Sequence, residues 1–202
     1  MTGLARPYAA GHQHPHRPPV LPLVVGQPRA EASERRRNTG ETSAGQDDAV
    51  QLTIEPADLA ARDLADFIQA HLDEMAPTAP PESRHALDLD GLRRSGIRMW
   101  VVRAEDRIVA TGALAPLTGG HEELKSMRTD PSCRGRGIGG RLLRHLLEDA
   151  RDRGVSRLSL ETGSMEFFAA ARALYASAGF APCGPFGSYV EDPNSVFMTR
   201  TL

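Results

Sequence analysis

Polar and apolar residues alternate over 51–54 (QLTI), the period of a half-buried strand. The period then lengthens. Leu59, Leu64, Phe67, Ile68, Leu72 and Met75 recur at helical spacing and give one apolar stripe to a helix opened by Pro56. Pro77, Pro80 and Pro81 end that helix in a loop, and a short helical piece follows over 87–94. Segment 97–103 (IRMWVVR) reads as a strand, 104–107 (AEDR) as a turn and 108–114 (IVATGAL) as the returning strand of a hairpin. A fourth strand covers 122–129 (EELKSMRT). Leu142, Leu143, Leu146, Leu147 and Ala150 share one face of a helix running from about 138 to 153 and stopped by Gly154. Segment 155–161 (VSRLSLE) is a fifth strand, and 164–178 is a helix with Ser164 as its cap and Gly179 as its stop. Short strands near 180–183 and 196–201 complete the order β-α-α-β-β-β-α-β-α-β-β. Antiparallel strands that lead into a crossover helix and a parallel partner predict an α/β fold with a mixed, mostly antiparallel central sheet flanked by helices.

Residues 1–48 carry almost no periodic apolar pattern and are rich in Pro, His, Arg, Gly, Ala and Ser, the composition of a disordered leader. A start codon assigned too far upstream would leave the same trace. The folded domain is expected over 49–202. In the leader, the run Arg35, Arg36, Arg37 and the alternation of His12, His14 and His16 read as features of a solvated tail. With 40 % hydrophobic residues in 202, the chain can bury a sizeable core. A net charge of -2 and 5 % aromatics supply neither the field nor the stacking surface of a nucleic-acid binder. No apolar run approaches the ~18 residues of a membrane span. The chain is expected to be cytoplasmic, without a nucleic-acid or membrane partner. Cys133 and Cys183 share no metal-ligand spacing, so no metal is expected, and a single pair in a chain of this size reads as two thiols of a reducing cytosol.

The chemistry is concentrated at 133–140 (CRGRGIGG), where glycines stand directly against the best helix. Each glycine in a helix costs ~1 kcal/mol relative to alanine, so the cost asks for a reason. Glycine lets a ligand approach the backbone closely. The first N–H groups of a helix lack internal partners and sit at the positive end of its dipole, which makes an anion site. Arg134 and Arg136 add mobile positive charge. A phosphate or pyrophosphate is the expected guest. A Walker loop fails because Arg141 and Leu142 follow the last glycine, and the G-x-G-x-x-G spacing fails as well. An RG-type RNA contact is opposed by the helix that the arginines enter at once.

The run 134–139 (RGRGIG) fits the pattern [Q/R]-x-x-G-x-[G/A], and it follows a strand ending in 127–131 (MRTDP). Together with 173–180 (ALYASAGF), which is similar to A-L-Y-x-x-x-G-F, it resembles the GNAT superfamily of acyl-CoA N-acyltransferases. The ending, 182–186 (PCGPF) and 195–198 (SVFM), is similar to a largely uncharacterised bacterial branch. The resemblance covers about 50–202.

The resemblance implies a fold whose strands four and five splay apart, and direct transfer of an acetyl group from acetyl-CoA to an amine of a small metabolite. A non-catalytic acyl-CoA sensor is the alternative. The cofactor pyrophosphate would rest on Arg134, Gly135, Arg136, Gly137, Ile138 and Gly139, with Gly140 beside them. The pantetheine arm would pair with the backbone of Met127 and Thr129. Glu123 is the expected proton acceptor for the amine, with Glu122 and His121 as rivals, and Tyr175 is the expected acid for the departing thiolate. By strand alternation Glu123, Lys125, Met127 and Thr129 share one face, which sets Lys125 and Arg128, candidates for holding an acceptor carboxylate, on opposite faces. Phe168 stands where many family members carry asparagine, so that cofactor contact is lost or replaced. The acceptor pocket is expected from 72–85 and 186–194, neither of which carries a readable motif. Dimerisation is common in the family, and a homodimer stays open here.

Overall fold

The computed structural model describes residues 51–75 and 89–202. The expected leader and the proline loop at 77–81 lie outside the described residues. Seven strands form one sheet: β1 (Leu52–Pro56), β2 (Arg98–Ala104), β3 (Arg107–Pro116), β4 (His121–Thr129), β5 (Arg157–Gly163), β6 (Ala181–Cys183) and β7 (Ser195–Thr201). Their order is β1-β2-β3-β4-β5-β7-β6. β4 and β5 run parallel, and the other neighbours are antiparallel. Helices α1 (Arg62–Met75), α2 (Leu89–Leu92), α3 (Ile138–Asp152) and α4 (Ala169–Ser177) flank it. The mixed, mostly antiparallel sheet expected from the periodicities is therefore present.

Each face of the sheet has its own core. Leu142, Leu143, Leu146, Leu147 and Ala150 of α3 are buried with Leu114, Leu124, Met127, Leu158 and Leu160. Leu64 and Ile68 of α1 and Leu92 of α2 pack with Met99, Val101, Ile108 and Ala113 on the other face. Fully burying one such side chain is worth about 1.5–3 kcal/mol, so the apolar stripes, more than helix propensity, fix where the helices lie.

Two helix starts differ from expectation. Pro56 does not open α1. It ends β1, opposite Trp100, and the Ala57 N–H still bonds the Met99 carbonyl at 2.8 Å. β1 is an edge strand, where a missing N–H is tolerated. Asp58 Oδ1 then accepts the Ala60 N–H at 2.9 Å and turns the chain toward α1. Ser164 does not cap α4 either, because its hydroxyl donates to the Pro193 carbonyl at 2.8 Å. A 3-10 turn, Glu166–Phe168, intervenes before α4.

That turn drives Phe168 onto Gly163, the last residue of β5. Phe168 is fully buried, and a Cβ added at Gly163 would lie 2.1 Å from Phe168 Cδ2. The aromatic ring at the position where many members of the resembled family carry asparagine is thus turned into the core. Gly163→Ala is expected to overpack this junction by about 3 kcal/mol. At about 2–4 °C per kcal/mol for a chain of this size, the thermal midpoint should fall by roughly 6–12 °C. A midpoint within 2 °C of the parent, on the order of the shift for one weak surface contact, would contradict the packing described.

Candidate active site

Parallel pairing of β4 with β5 is limited to His121↔Arg157, Glu122↔Leu158 and Glu123↔Ser159. Beyond that point β5 continues on β7 and β4 continues on β3, but no ladder pair joins them to each other. The two strands part, as expected, and the β5-facing edge of β4 from Leu124 onward is left without a strand neighbour.

A bulge reshapes the same strand. Thr111 pairs with Arg128 and Ala113 with Lys125, so Gly112 alone opposes Ser126 and Met127. Ser126 adopts φ +54° to make this possible, a strained value for a residue with a Cβ. The extra residue resets the alternation. Lys125 pairs with Ala113 of the α1 core, and Arg128 lies over the Phe67 ring of α1 at 4.6 Å. Met127 instead packs on Gly112 among Leu142 and Leu146 of α3. The expectation that Glu123, Lys125, Met127 and Thr129 share one face is therefore corrected. Glu123 and Lys125 face α1, whereas Met127 and Thr129 face α3. Lys125 and Arg128 share a face after all.

The glycine-rich segment runs from the end of β4 into α3. Gly135 and Gly137 both have φ +76°, which accounts for two of the glycines. Gly137 precedes the first helical residue, and no side chain caps α3. Ile138 is buried and anchors the turn. A Cβ at Gly140 would meet only Leu174 at 3.7 Å, and one at Gly139 would meet Thr129 Oγ1 at 3.4 Å. Neither contact forbids a side chain, so glycine there serves to leave space over the helix N–H groups. A groove of about 280 Å³ opens beside Gly140, lined by Leu143, Leu174 and Arg200 among others. The uncapped N–H groups at the start of α3, with glycine beside them, would suit a diphosphate. Arg134 is not mobile, however. Its Nη2 donates to Glu74 Oε1 at 2.8 Å and its Nε to the Thr129 carbonyl at 3.3 Å. Arg136 is exposed.

The three candidate bases have separate surroundings. Arg153 holds Glu122 through both guanidinium ends, at 2.5 and 2.7 Å. Glu122 and Asp149 together raise the already high affinity of Arg153 for its proton. Glu122→Gln is expected to lose about 1–3 kcal/mol of stability with turnover unchanged. A melt paired with a rate assay checks this. His121 Nε2 bonds Ser159 Oγ at 2.8 Å, and Ser159 donates onward to Thr199. The Ser159 proton is thereby committed, so Nε2 is the donor and Nδ1 accepts from Arg157 at 3.2 Å. Burial, then the Arg157 charge, lowers the imidazole below its usual range. The lone pair of His121 is occupied.

Glu123 is 3 % exposed. Its Oε1 lies 2.7 Å from Lys125 Nζ and accepts the Tyr189 hydroxyl at 2.6 Å. Burial lowers the proton affinity of Lys125, and the Glu123 carboxylate opposes that shift. Tyr175 is buried in the α3-side core, edge-on to Phe180 at 5.7 Å. Burial pushes its phenol well up, and the Glu161 charge adds to this.

Two residues here escape the sequence reading. Tyr189 lies in 186–194, a stretch assigned to the acceptor side without a motif. Glu161 accepts from Ser195 Oγ and acts electrostatically on both Lys125 and Tyr175. Its signal was a lone acid at the end of an apolar strand. Of the other acceptor stretch, 72–85, residues 76–85 lie outside the described residues. Cys133 and Cys183 are free thiols.

The profile of the acetyltransferase (GNAT) family matches residues 57–180. The uncharacterised N-acetyltransferase YsnE of Bacillus subtilis (strain 168) is 48 % identical over 145 residues, covering 72 % of this chain and 96 % of that protein. The IAA acetyltransferase of Azospirillum brasilense is 46 % identical over 124 residues, 61 % of this chain and 80 % of the relative. A solved structure from Klebsiella pneumoniae, described as an acyl-CoA N-acyltransferase, superposes with a TM-score of 0.62 at 30 % identity, over 76 % of this chain and 99 % of that one. Among the described residues no helix is long and apolar enough to cross a membrane.

Proposed function

The chain belongs to the GNAT acetyltransferase family and is an acetyltransferase drawing on acetyl-CoA, and from that premise we propose that its acceptor is a primary amine of a small metabolite, acetylated by residues 49–202 as the catalytic domain. The observation that carries this reading is the parting of β4 from β5 directly after Glu123 and Ser159. A buried carboxylate stands where the gap begins, and the uncapped start of α3 stands at the far end of β4, roughly 20 Å along the strand. One relative is named an IAA acetyltransferase, which supports a small-molecule acceptor.

The Arg134 N–H closes the preceding turn on the Pro131 carbonyl, so the N–H groups of residues 135–140 would hold the diphosphate of the coenzyme, and the main chain of Met127 and Thr129 would pair with its extended arm. An alkyl ammonium keeps its proton to about pH 10, so a neutral amine at pH 7 costs about 4 kcal/mol. Glu123 accepts that proton. Lys125 and Tyr189 both occupy Oε1, which assigns the proton to Oε2. The amine nitrogen then bonds the acetyl carbon as the carbon–sulfur bond breaks, and the second nitrogen proton passes to the departing thiolate, which leaves as the free thiol. Tyr175 donates a hydrogen bond to that sulfur. Its burial makes full proton transfer to a thiolate, whose own thiol loses a proton near about 8.5, an uphill step. Orientation of the two substrates along the gap supplies most of the rate, up to about 7–11 kcal/mol.

The test is free-thiol release from acetyl-CoA by the purified chain against a panel of small amines and of peptides with free amino groups. Acetylation of one or more small amines is the expected result. Turnover confined to peptides would overturn the metabolite reading, and turnover with no amine would overturn the acceptor class.

A further inference from the structure

We propose that Tyr189 is a positioning residue for acetyl transfer, fixing the Glu123 carboxylate through Oε1 so that Oε2 is presented to the acceptor amine. The inference rests on the reading of Glu123 as the base.

Tyr189 reaches β4 from the connection between β6 and β7, and it is 7 % exposed. Its hydroxyl donates to Glu123 Oε1 at 2.6 Å and lies 3.3 Å from Lys125 Nζ, which itself lies 2.7 Å from the same oxygen. The three polar groups close a triangle. Two donors on one carboxylate oxygen oppose rotation of that group and hold the second oxygen in a single direction. The tyrosine ring is fixed in turn. Phe186 stands edge-on to it at 5.1 Å and Phe197 tilts against it at 5.5 Å. The Tyr189 N–H also bonds the Phe186 carbonyl at 3.0 Å, which closes the turn that carries the ring.

A phenylalanine would satisfy the aromatic cluster equally well. The hydroxyl instead serves the polar pair on β4, donating to the Glu123 carboxylate and accepting from Lys125. Lys125 alone would neutralise the charge of Glu123, so Tyr189 adds direction rather than charge balance. The charged groups around the triangle come from several elements. Lys125 is on β4, Glu161 is on β5, and Arg94 follows α2, both of the latter acting on Lys125. His121, also on β4, is committed to Ser159 and Arg157. None of these others bonds the Glu123 carboxylate.

The experiment uses the full chain, acetyl-CoA and the best amine from the panel, with kcat measured against pH for the parent, Tyr189→Phe and Glu123→Gln. A carboxylate that loses a hydrogen-bond donor is protonated more readily. In Tyr189→Phe the acidic limb should therefore move to higher pH by about one unit, and kcat should fall roughly 10-fold with KM for acetyl-CoA unchanged. A tyrosine serving only the packing would lower the whole profile without moving the limb. Tyr189→Met, which also lacks the hydroxyl but fills the apolar cluster differently, is measured in parallel, so that a failure of either variant to fold leaves the other to decide. An acidic limb coincident with the parent in the folded variants overturns the proposal. Glu123→Gln separates the two readings. If it keeps the parental rate and limb, the base assignment fails. If it is inactive while the limb stays fixed in Tyr189→Phe, only the positioning role fails.

Discussion

Glutamine in place of Glu123 is expected to lower kcat by about 10²–10⁴-fold, the usual contribution of a positioned base. The change is close to isosteric. The amide oxygen can still accept from Lys125 and Tyr189 at the site of Oε1, so the cluster should remain assembled. Only the lone pairs of Oε2 are replaced, by an amide nitrogen that cannot take a proton. KM for acetyl-CoA should hardly move, because the contacts proposed for the cofactor lie at the other end of β4. The deficit should shrink as the pH approaches about 10, where the amine is already neutral in solution. A loss that is constant across pH would argue for a structural effect. The neighbouring Glu122→Gln is the internal control, since that carboxylate is held by Arg153 on the opposite face.

The second large effect is expected on coenzyme binding. Aspartate at Gly140 enters the first turn of α3, where a negative side chain is favoured by the helix dipole and glycine is the poorer helix former. An added Cβ there meets only Leu174, at an ordinary contact distance of 3.7 Å. The thermal midpoint should hold or rise. The same carboxylate occupies the space over the uncapped N–H groups and repels a diphosphate. Affinity for coenzyme A should fall at least ~100-fold, about 2.7 kcal/mol. Calorimetry and a melt on one preparation decide the matter. Intact binding together with an intact fold would remove the anion from the start of α3.

The elements were legible because their apolar residues repeat at strand or helix period, and the glycine loop because glycine is costly where it stands. Other features depend on long-range closure. The Ser126 bulge has no glycine in its own strand to announce it, only Gly112 across the ladder, and Lys125 and Met127 read as ordinary alternation around it. The choice between Glu122 and Glu123 rests on which face each takes, and adjacent strand residues always take opposite ones. Only the register against α3 and Arg153 decides. Tyr189 sits in a stretch without period, and its approach to β4 is fixed by Phe186 and Phe197, one of them on a distant strand. Ser164 suits a cap by residue type alone. Its hydroxyl found a partner in the chain before β7 instead.

Where β4 leaves β5 after Glu123, the surface offered to an extended ligand is polypeptide itself, a row of amides and carbonyls common to every residue type. Such a receptor is written in topology. Evolution can exchange side chains along the gap and revise the acceptor wall around Tyr189 without erasing it, so new substrates can be tried on a donor platform that stays in service.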